Sequence, residues 1–200
     1  MLEVGAGIGS NSRLLYHQAV PQWVSLEPDY LLARSVHAEM LRHNRGKGFK
    51  VVSGTMESIH PNKSFDCILY LDVLEHIQDD IGELKEATRH LNPMGTLVIL
   101  VPAHQWLFSN FDEAVGHHRR YTKGLLQKVV PPTLACEKLL YLDSLGVLTS
   151  LANRLFLKSL TPTSVQIKYW DSMLVPASRH IDRIFGNTLG RSLVGVWQYR

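Results

Sequence analysis

Cysteine is nearly absent from this 200-residue chain, which has only Cys67 and Cys136. Two thiols are too few for a disulfide scaffold, and they lack the paired spacing of a metal site. Both lie in apolar, strand-like runs, so we expect small core side chains in a reducing, cytoplasmic compartment. An excess of one charge is also lacking. The formal net charge is +3 and no long basic run occurs, so a nucleic-acid partner is not expected. No stretch of about 18 uncharged apolar residues exists, and no spanning helix is expected. No secretory leader is expected, and for the entry helix that would pack before the first strand two readings stay open: the sequence is truncated there, or the fold lacks that element. Internal repeats and low-complexity tracts are absent too. What remains is an ordinary 45% apolar composition over a length that suits one domain with a sizeable core.

The opening residues, Met-Leu-Glu-Val-Gly-Ala-Gly-Ile-Gly, carry the strongest local signal. A short apolar run, Met1–Val4, leads into Gly5, Gly7 and Gly9, and a helical segment follows. Glycine tolerates positive φ and lets a ligand approach the backbone, while the next helix offers free N–H groups at its start. The spacing is G-x-G-x-G, not the dinucleotide G-x-G-x-x-G. No Gly-Lys-Ser/Thr follows, which excludes a P-loop.

Strands and helices then alternate. Expected strands are Met1–Val4, Trp23–Leu26, Phe49–Val52, Phe65–Leu71 and Gly95–Val101. Expected helices are Ser10–Ala19, closed by Pro21, Tyr30–Arg45 and Asp79–Leu91, stopped by Asn92-Pro93. In the second helix Leu31, Leu32, Ser35, Ala38, Met40 and Leu41 are expected on one side, and Gly46-Lys47-Gly48 forms a turn. This alternation predicts a parallel sheet with right-handed crossovers. Ligands of such sheets bind beyond the carboxyl ends of the strands, so the loops after Val4, Leu26, Val52, Leu71 and Val101 share one rim.

Glu27 follows the second strand, where a carboxylate can accept both hydroxyls of a ribose. Gly54-Thr55-Met56-Glu57 follows the third and can border an adenine ring. Beyond Val101 comes a long loop, Pro102–Tyr121, rich in His, Trp, Phe and Asp. A short helix (Lys123–Val130), a strand (Leu134–Leu142), helical segments at Asp143–Leu160 and Trp170–Phe185, and a closing strand (Arg191–Gln198) complete the chain. Thr161–Ser164 is the nearest thing to a linker. The stripe Leu145–Phe156 reads first as core or cap. Its second reading is a peripheral lipid contact, with Arg154 and Lys158 at headgroup level.

These pieces together resemble the class I S-adenosylmethionine-dependent methyltransferases. Leu-Glu-Val-Gly-Ala-Gly-Ile-Gly (2–9), Leu-Glu-Pro-Asp (26–29), Phe-Asp-Cys-Ile-Leu-Tyr-Leu-Asp-Val-Leu-Glu-His-Ile-Gln-Asp (65–79) and Leu-Asn-Pro-Met-Gly-Thr-Leu-Val-Ile-Leu-Val-Pro (91–102) carry the resemblance. The chain is most similar to the ubiquinone and menaquinone methyltransferase branch, within which a subgroup has the Gly-His-x-Arg-Arg-Tyr-Thr segment seen at Gly116–Thr122. The resemblance implies an α/β three-layer sandwich with a Rossmann-like, mostly parallel seven-stranded sheet, an antiparallel last strand and a helical insertion. It implies one domain over residues 1–200, with a cofactor-binding core at 1–130 and a helical cap at 143–188.

The resemblance also implies S-adenosylmethionine as cofactor, with S-adenosylhomocysteine as product. Gly5, Gly7 and Gly9 would border its methionine part, and Glu3 would order that loop and the amino group. Glu27 with Pro28 would hold the ribose, Thr55 and Met56 would flank adenine, and Leu71 and Asp72 would line the sulfonium side. Many relatives have Asp where Thr55 stands, and glycine is usual where Met94 stands. The acceptor is expected to be a small molecule or lipid-linked. His76, His104, His118 and Tyr121 are the candidates for catalysis, and Asp112 is expected to pair an arginine. Asp72, Glu75 and His76 carry donor types that a divalent cation accepts, but no metal is expected. Two other readings stay open: a non-catalytic nucleoside-binding module on the same fold, and an NAD(P)-dependent oxidoreductase. The glycine spacing and the Leu-Glu-His segment count against the latter.

Overall fold

The computed structural model describes residues 1–16, 20–43, 48–152, 170–184 and 186–200. Seven strands form one sheet in the order β3-β2-β1-β4-β5-β7-β6. They are β1 (Leu2–Val4), β2 (Trp23–Glu27), β3 (Phe49–Ser53), β4 (Phe65–Leu71), β5 (Leu91–Pro102), β6 (Leu134–Leu142) and β7 (Ser192–Tyr199). Pairing is parallel from β3 across to β5, and β7 runs antiparallel to both β5 and β6. The last strand therefore slots between two strands that precede it in the chain. The order in which strands are added reverses at β1: β2 and β3 lie on one side of it, and β4 and β5 on the other. Crevices form at such a switch point, beyond the carboxyl ends of the strands.

The helices are α1 (Ser10–Leu15), α2 (Tyr30–Arg42), α3 (Asp80–Arg89), α4 (Asn110–Ala114), α5 (Lys123–Val129), α6 (Ser144–Ala152) and α7 (Val175–Ile184). Asp29 caps α2, its carboxylate accepting from the N–H groups of Leu31 and Leu32, and Asp79 caps α3 through Gly82 N–H. Pro176 falls in the first turn of α7, directly after a π turn, and having no N–H it cannot donate an α-type bond back into that turn. Two cores flank the sheet. The larger gathers Leu26, Ile68, Tyr70, Leu84, Leu97 and Trp197 against α3 and α5, and the smaller packs Trp23, Val36, Met40 and Phe49 under α2.

Several local expectations need correction. The buried face of α2 is Ala33, Val36 and Met40, whereas Leu31 and Leu41 are exposed. The helix has rotated so that its three-four spacing of Ala, Val and Met meets β2 and β3. Cys136 is exposed and Cys67 half-buried, so neither is a fully buried core thiol. α1 is shorter than expected, and β5 starts earlier, at Leu91. The start of β5 is irregular, since pairing with β4 jumps from Leu91 to Thr96, and Met94 within the jump has φ 64°. Pro93 sits there without disturbing a ladder bond. The segment Pro102–Tyr121 is not simply a loop, because it holds a 3₁₀ turn (Gln105–Leu107) and α4. α7 is preceded by a π turn, Trp170–Leu174. Arg154, Lys158, Thr161–Ser164 and Gly46-Lys47 lie outside the described residues. Among the described residues no helix is long and apolar enough to cross a membrane.

The insertion of β7 depends on Gly195. The Trp197 ring folds back over it, and a Cβ there would lie 2.1 Å from the ring. Trp197 is 2% exposed and cannot swing away. Gly195→Ala is therefore expected to destabilise the fold by about 1–3 kcal/mol through overpacking. Urea denaturation with an unchanged midpoint would contradict this.

Candidate functional site

Three loops converge at the carboxyl ends of β1, β2 and β3, and Glu27 joins them. It is the last residue of β2 and is buried. Its Oε2 accepts from Gly7 N–H at 2.7 Å and its Oε1 from Asp29 N–H at 3.0 Å. Its own carbonyl accepts from Gly54 N–H at 3.0 Å, while Gly5 and Ala6 N–H groups bond to Leu26 O. One side chain and one carbonyl thus tie the glycine loop, the Glu27-Pro28-Asp29 turn and the loop after β3.

The glycines at 5, 7 and 9 all have positive φ, but they differ in purpose. A Cβ on Gly5 would strike Val73, at 2.5 Å, whereas one on Gly7 would meet no atom within 4 Å. Gly5 permits close packing of the loop on the segment after β4. Gly7 faces open space, and its N–H already engages Glu27.

Glu3 lies beneath this loop, 1% exposed. Its Oε2 accepts from the Ser12 hydroxyl, from Ser25 Oγ at 2.9 Å and from Trp23 Nε1 at 3.2 Å. These bonds anchor α1 to β1 and β2 and so fix the direction in which the glycine loop turns. Burial pushes the Glu3 carboxyl above its usual range, the hydrogen bonds from Ser12, Ser25 and Trp23 opposing it. Oε1 has no partner.

On the other side of the switch point, Leu71 ends β4 half-buried and Asp72 is exposed in the left-handed region, φ 56°. Asp72 lies within electrostatic reach of Arg191 and His117. Thr55 and Pro28 are exposed on the rim. Met56 is not: it is 1% exposed and packs in the larger core, because its 3₁₀ turn (Met56–Ser58) directs it inward. Its side chain supports the rim from behind instead of flanking a ligand.

A polar strap, residues 104–121, lies against the segment after β4. Asp112 is fully buried, and Arg120 grips it with two bonds, Nε to Oδ1 at 2.8 Å and Nη2 to Oδ2 at 3.0 Å. His117 Nδ1 meets Asp112 Oδ1 at 2.8 Å. Although burial works against it, the hydrogen bonds from His117 and Arg120 hold the Asp112 carboxyl down at about 2. Arg119 pairs with Asp80 at 2.6 Å and donates to Gln78 O. His118 N–H donates to Glu75 O at 2.8 Å.

The four catalytic candidates fare differently. Tyr121 is 0% exposed and donates its hydroxyl to Asp80 at 2.7 Å, so it locks the strap and does not face an acceptor. Burial and the Asp80 carboxylate push its phenol far above the usual range. His104 has φ 64° and is 9% exposed, its ring stacked on Tyr141 with centroids 4.5 Å apart. Burial and then Arg120 hold it below the usual imidazole range, and its Nε2 has no partner. His118 is exposed. His76 is exposed at the end of a 3₁₀ turn (Leu74–His76), edge-on to His117 with centroids 4.6 Å apart. The sequence reading missed the Asp112–His117 pair. Its signal was the capping pattern Ser109-x-x-Asp112 followed five residues on by histidine.

A family model described as a methyltransferase domain matches residues 1–191. The chain belongs to that family. No curated protein matches it. Among solved structures, this methyltransferase domain is similar to an S-adenosylmethionine-dependent methyltransferase from Mesorhizobium loti, at 13% identity and TM-score 0.65, covering 98% of this chain and 89% of that one. YcgJ from Bacillus subtilis gives 16% identity and TM-score 0.64 over 100% and 91% of the two chains. The N-methyltransferase NodS from Bradyrhizobium japonicum gives 11% and 0.58 over 99% and 84%. Such distant likenesses show the fold, which is the seven-stranded Rossmann-like sheet of methyltransferases. The family match shows the activity class.

The Asp112–Arg120 pair is the strap's internal anchor. Arg120→Ala takes from the buried Asp112 carboxylate its guanidinium partner, leaving it to His117 and Ser109, and is expected to cost about 3–5 kcal/mol. Arg42→Ala, at the exposed Arg42–Glu39 pair, is expected to cost under about 1 kcal/mol. Equal midpoints for the two variants in urea would contradict this ranking.

Proposed function

We propose that the crevice beyond β1, β2 and β4 binds S-adenosylmethionine and that the domain transfers its methyl group to a small-molecule or lipid-linked acceptor. The bound cofactor supplies a methyl already activated on a sulfonium. The chain's task is then binding and alignment, and proximity with orientation can be worth roughly 7–11 kcal/mol.

Glu27 carries this reading. Each of its oxygens accepts one backbone N–H and keeps capacity for a further bond, enough for a ribose diol. Gly7 offers backbone on which no side chain intrudes. The unpartnered Oε1 of Glu3 lies below the loop that would hold the methionine end, which supports its assignment to the cofactor's amino group through that loop. Pro28 and Thr55 are exposed where the nucleoside would lie, and Leu71 and Asp72 border the sulfur side. The strap, bonded to the loop after β4 through His118 N–H and Arg119, forms the acceptor side. His76 and His118 remain the exposed imidazoles there. The ubiquinone-like branch is the reading we keep for subgroup, on the Gly116–Thr122 segment.

Glu27→Gln keeps the side-chain size but loses the charge and turns one of the two acceptors into a donor facing a backbone N–H, and Glu27→Ala removes both acceptors. A hydrogen bond to a charged group is worth about 1.5–3 kcal/mol. Isothermal titration with S-adenosylhomocysteine is expected to show at least about tenfold weaker binding for Glu27→Ala, with a native circular-dichroism spectrum. Unchanged affinity would remove Glu27, and with it this placement of the cofactor.

A further inference from the structure

The buried carboxylate of Glu75 is a polar group that the proposed methyl transfer leaves unexplained. Glu75 is 1% exposed, and its Oε2 has no hydrogen-bond partner. Two imidazoles face it, His76 from the next position and His117 from the strap. One ligand-type atom from each of the three lies within 4.8 Å of the others. His117 Nε2 stands 3.8 Å from Glu75 Oε1, too far for a hydrogen bond. Nitrogen and oxygen ligands at about 2.0–2.1 Å around a tetrahedral ion sit about 3.3 Å apart, so a shared ion needs the His117–Glu75 pair to close by about 0.5 Å.

The orientation of His117 is fixed from behind. Its Nδ1 bonds to Asp112, which Arg120 holds in turn, so Nε2 is the nitrogen presented to Glu75. A carboxylate behind a metal-binding imidazole sets the tautomer and raises ligand basicity.

We propose that Glu75, His76 and His117 form a binding site for one first-row divalent cation of the zinc class. Two imidazoles with one carboxylate suit Zn²⁺, Fe²⁺ or Co²⁺ better than Mg²⁺ or Ca²⁺, which favour all-oxygen sets. The set differs from the donors that the sequence brings together, since His117 takes the place of Asp72. An ion there compensates the buried Glu75 carboxylate, which is costly to bury without an opposite charge. It also joins the strap to the loop after β4. The His76 side of the site is exposed, which leaves a coordination position for an outside oxygen. On the proposed methyl transfer, that oxygen belongs to the acceptor. The site itself does not depend on that reading.

The test uses the full chain, stripped with chelator and dialysed against Zn²⁺, with Co²⁺ as a spectroscopic probe. Elemental analysis is expected to give one zinc per chain, and Co²⁺ is expected to give visible ligand-field bands. H76Q changes an exposed residue and should fold normally; it and E75Q are each expected to weaken binding at least tenfold. D112N is expected to weaken it about 10–100-fold. H60Q, at an exposed histidine elsewhere, should leave binding unchanged. Absence of stoichiometric zinc, or equal affinity in H76Q and H60Q, overturns the proposal. Titration with S-adenosylhomocysteine on the same samples separates the two ideas: loss of that binding with zinc retained would sink the methyl-transfer placement and leave the metal site standing.

Discussion

Glu27 is the constraint on which the rest of the crevice depends. A carboxylate is costly to bury unless hydrogen bonds compensate, and here two backbone N–H groups from different loops do so. The same contacts close the glycine loop over the end of β2 and hold it there. Glu3 serves the layer below, joining α1 to the first two strands through Ser12, Ser25 and Trp23. Two acids in adjacent strands thus set both the position and the direction of a loop only five residues long. The sheet's switch point then makes that loop one wall of a crevice.

The opposite wall is built on different principles. The strap has little regular structure, so its shape comes from ion pairs and hydrogen bonds. Arg120 and Asp112 fix its interior, Arg119 and Tyr121 fasten it to Asp80, and His118 N–H fastens it to Glu75 O. Buried networks of this kind are specific because each member must be satisfied. They also explain why adjacent residues in Gly-His-His-Arg-Arg-Tyr have unlike fates. Arg120 and Tyr121 turn inward as fasteners, while His118 stays at the surface.

Much of this was legible in the sequence where the chain reports local physics. The glycine spacing, the continuous apolar run of β4 and the alternation of elements led to the parallel half of the sheet. Amphipathic patterning marked α2 and α3, and β6 matches its expected limits. What was not legible depends on long-range packing. The exposed face of α2 could not be read from composition, because Leu31 and Leu41 are apolar but fall off the face that β2 and β3 require. Met56 looked like a rim residue from its neighbours, yet a single 3₁₀ turn directs it inward. Tyr121 is a catalytic candidate by residue type, and only the fold brings Asp80 to it from 41 residues away. The same holds for Glu75 and His117, which no spacing rule pairs.

The most direct measurement is a crystal structure of the full chain grown with S-adenosylhomocysteine. The predicted result is a nucleoside lying across the ends of β1 and β2, both ribose hydroxyls on the Glu27 carboxylate, and the methionine part along Gly7. A ligand bound elsewhere would contradict it, for instance in the cavity of about 360 Å³ beside Met1, Pro21 and Lys63 at the amino ends of the strands. So would a Glu27 side chain still occupied by backbone alone with the nucleoside turned away.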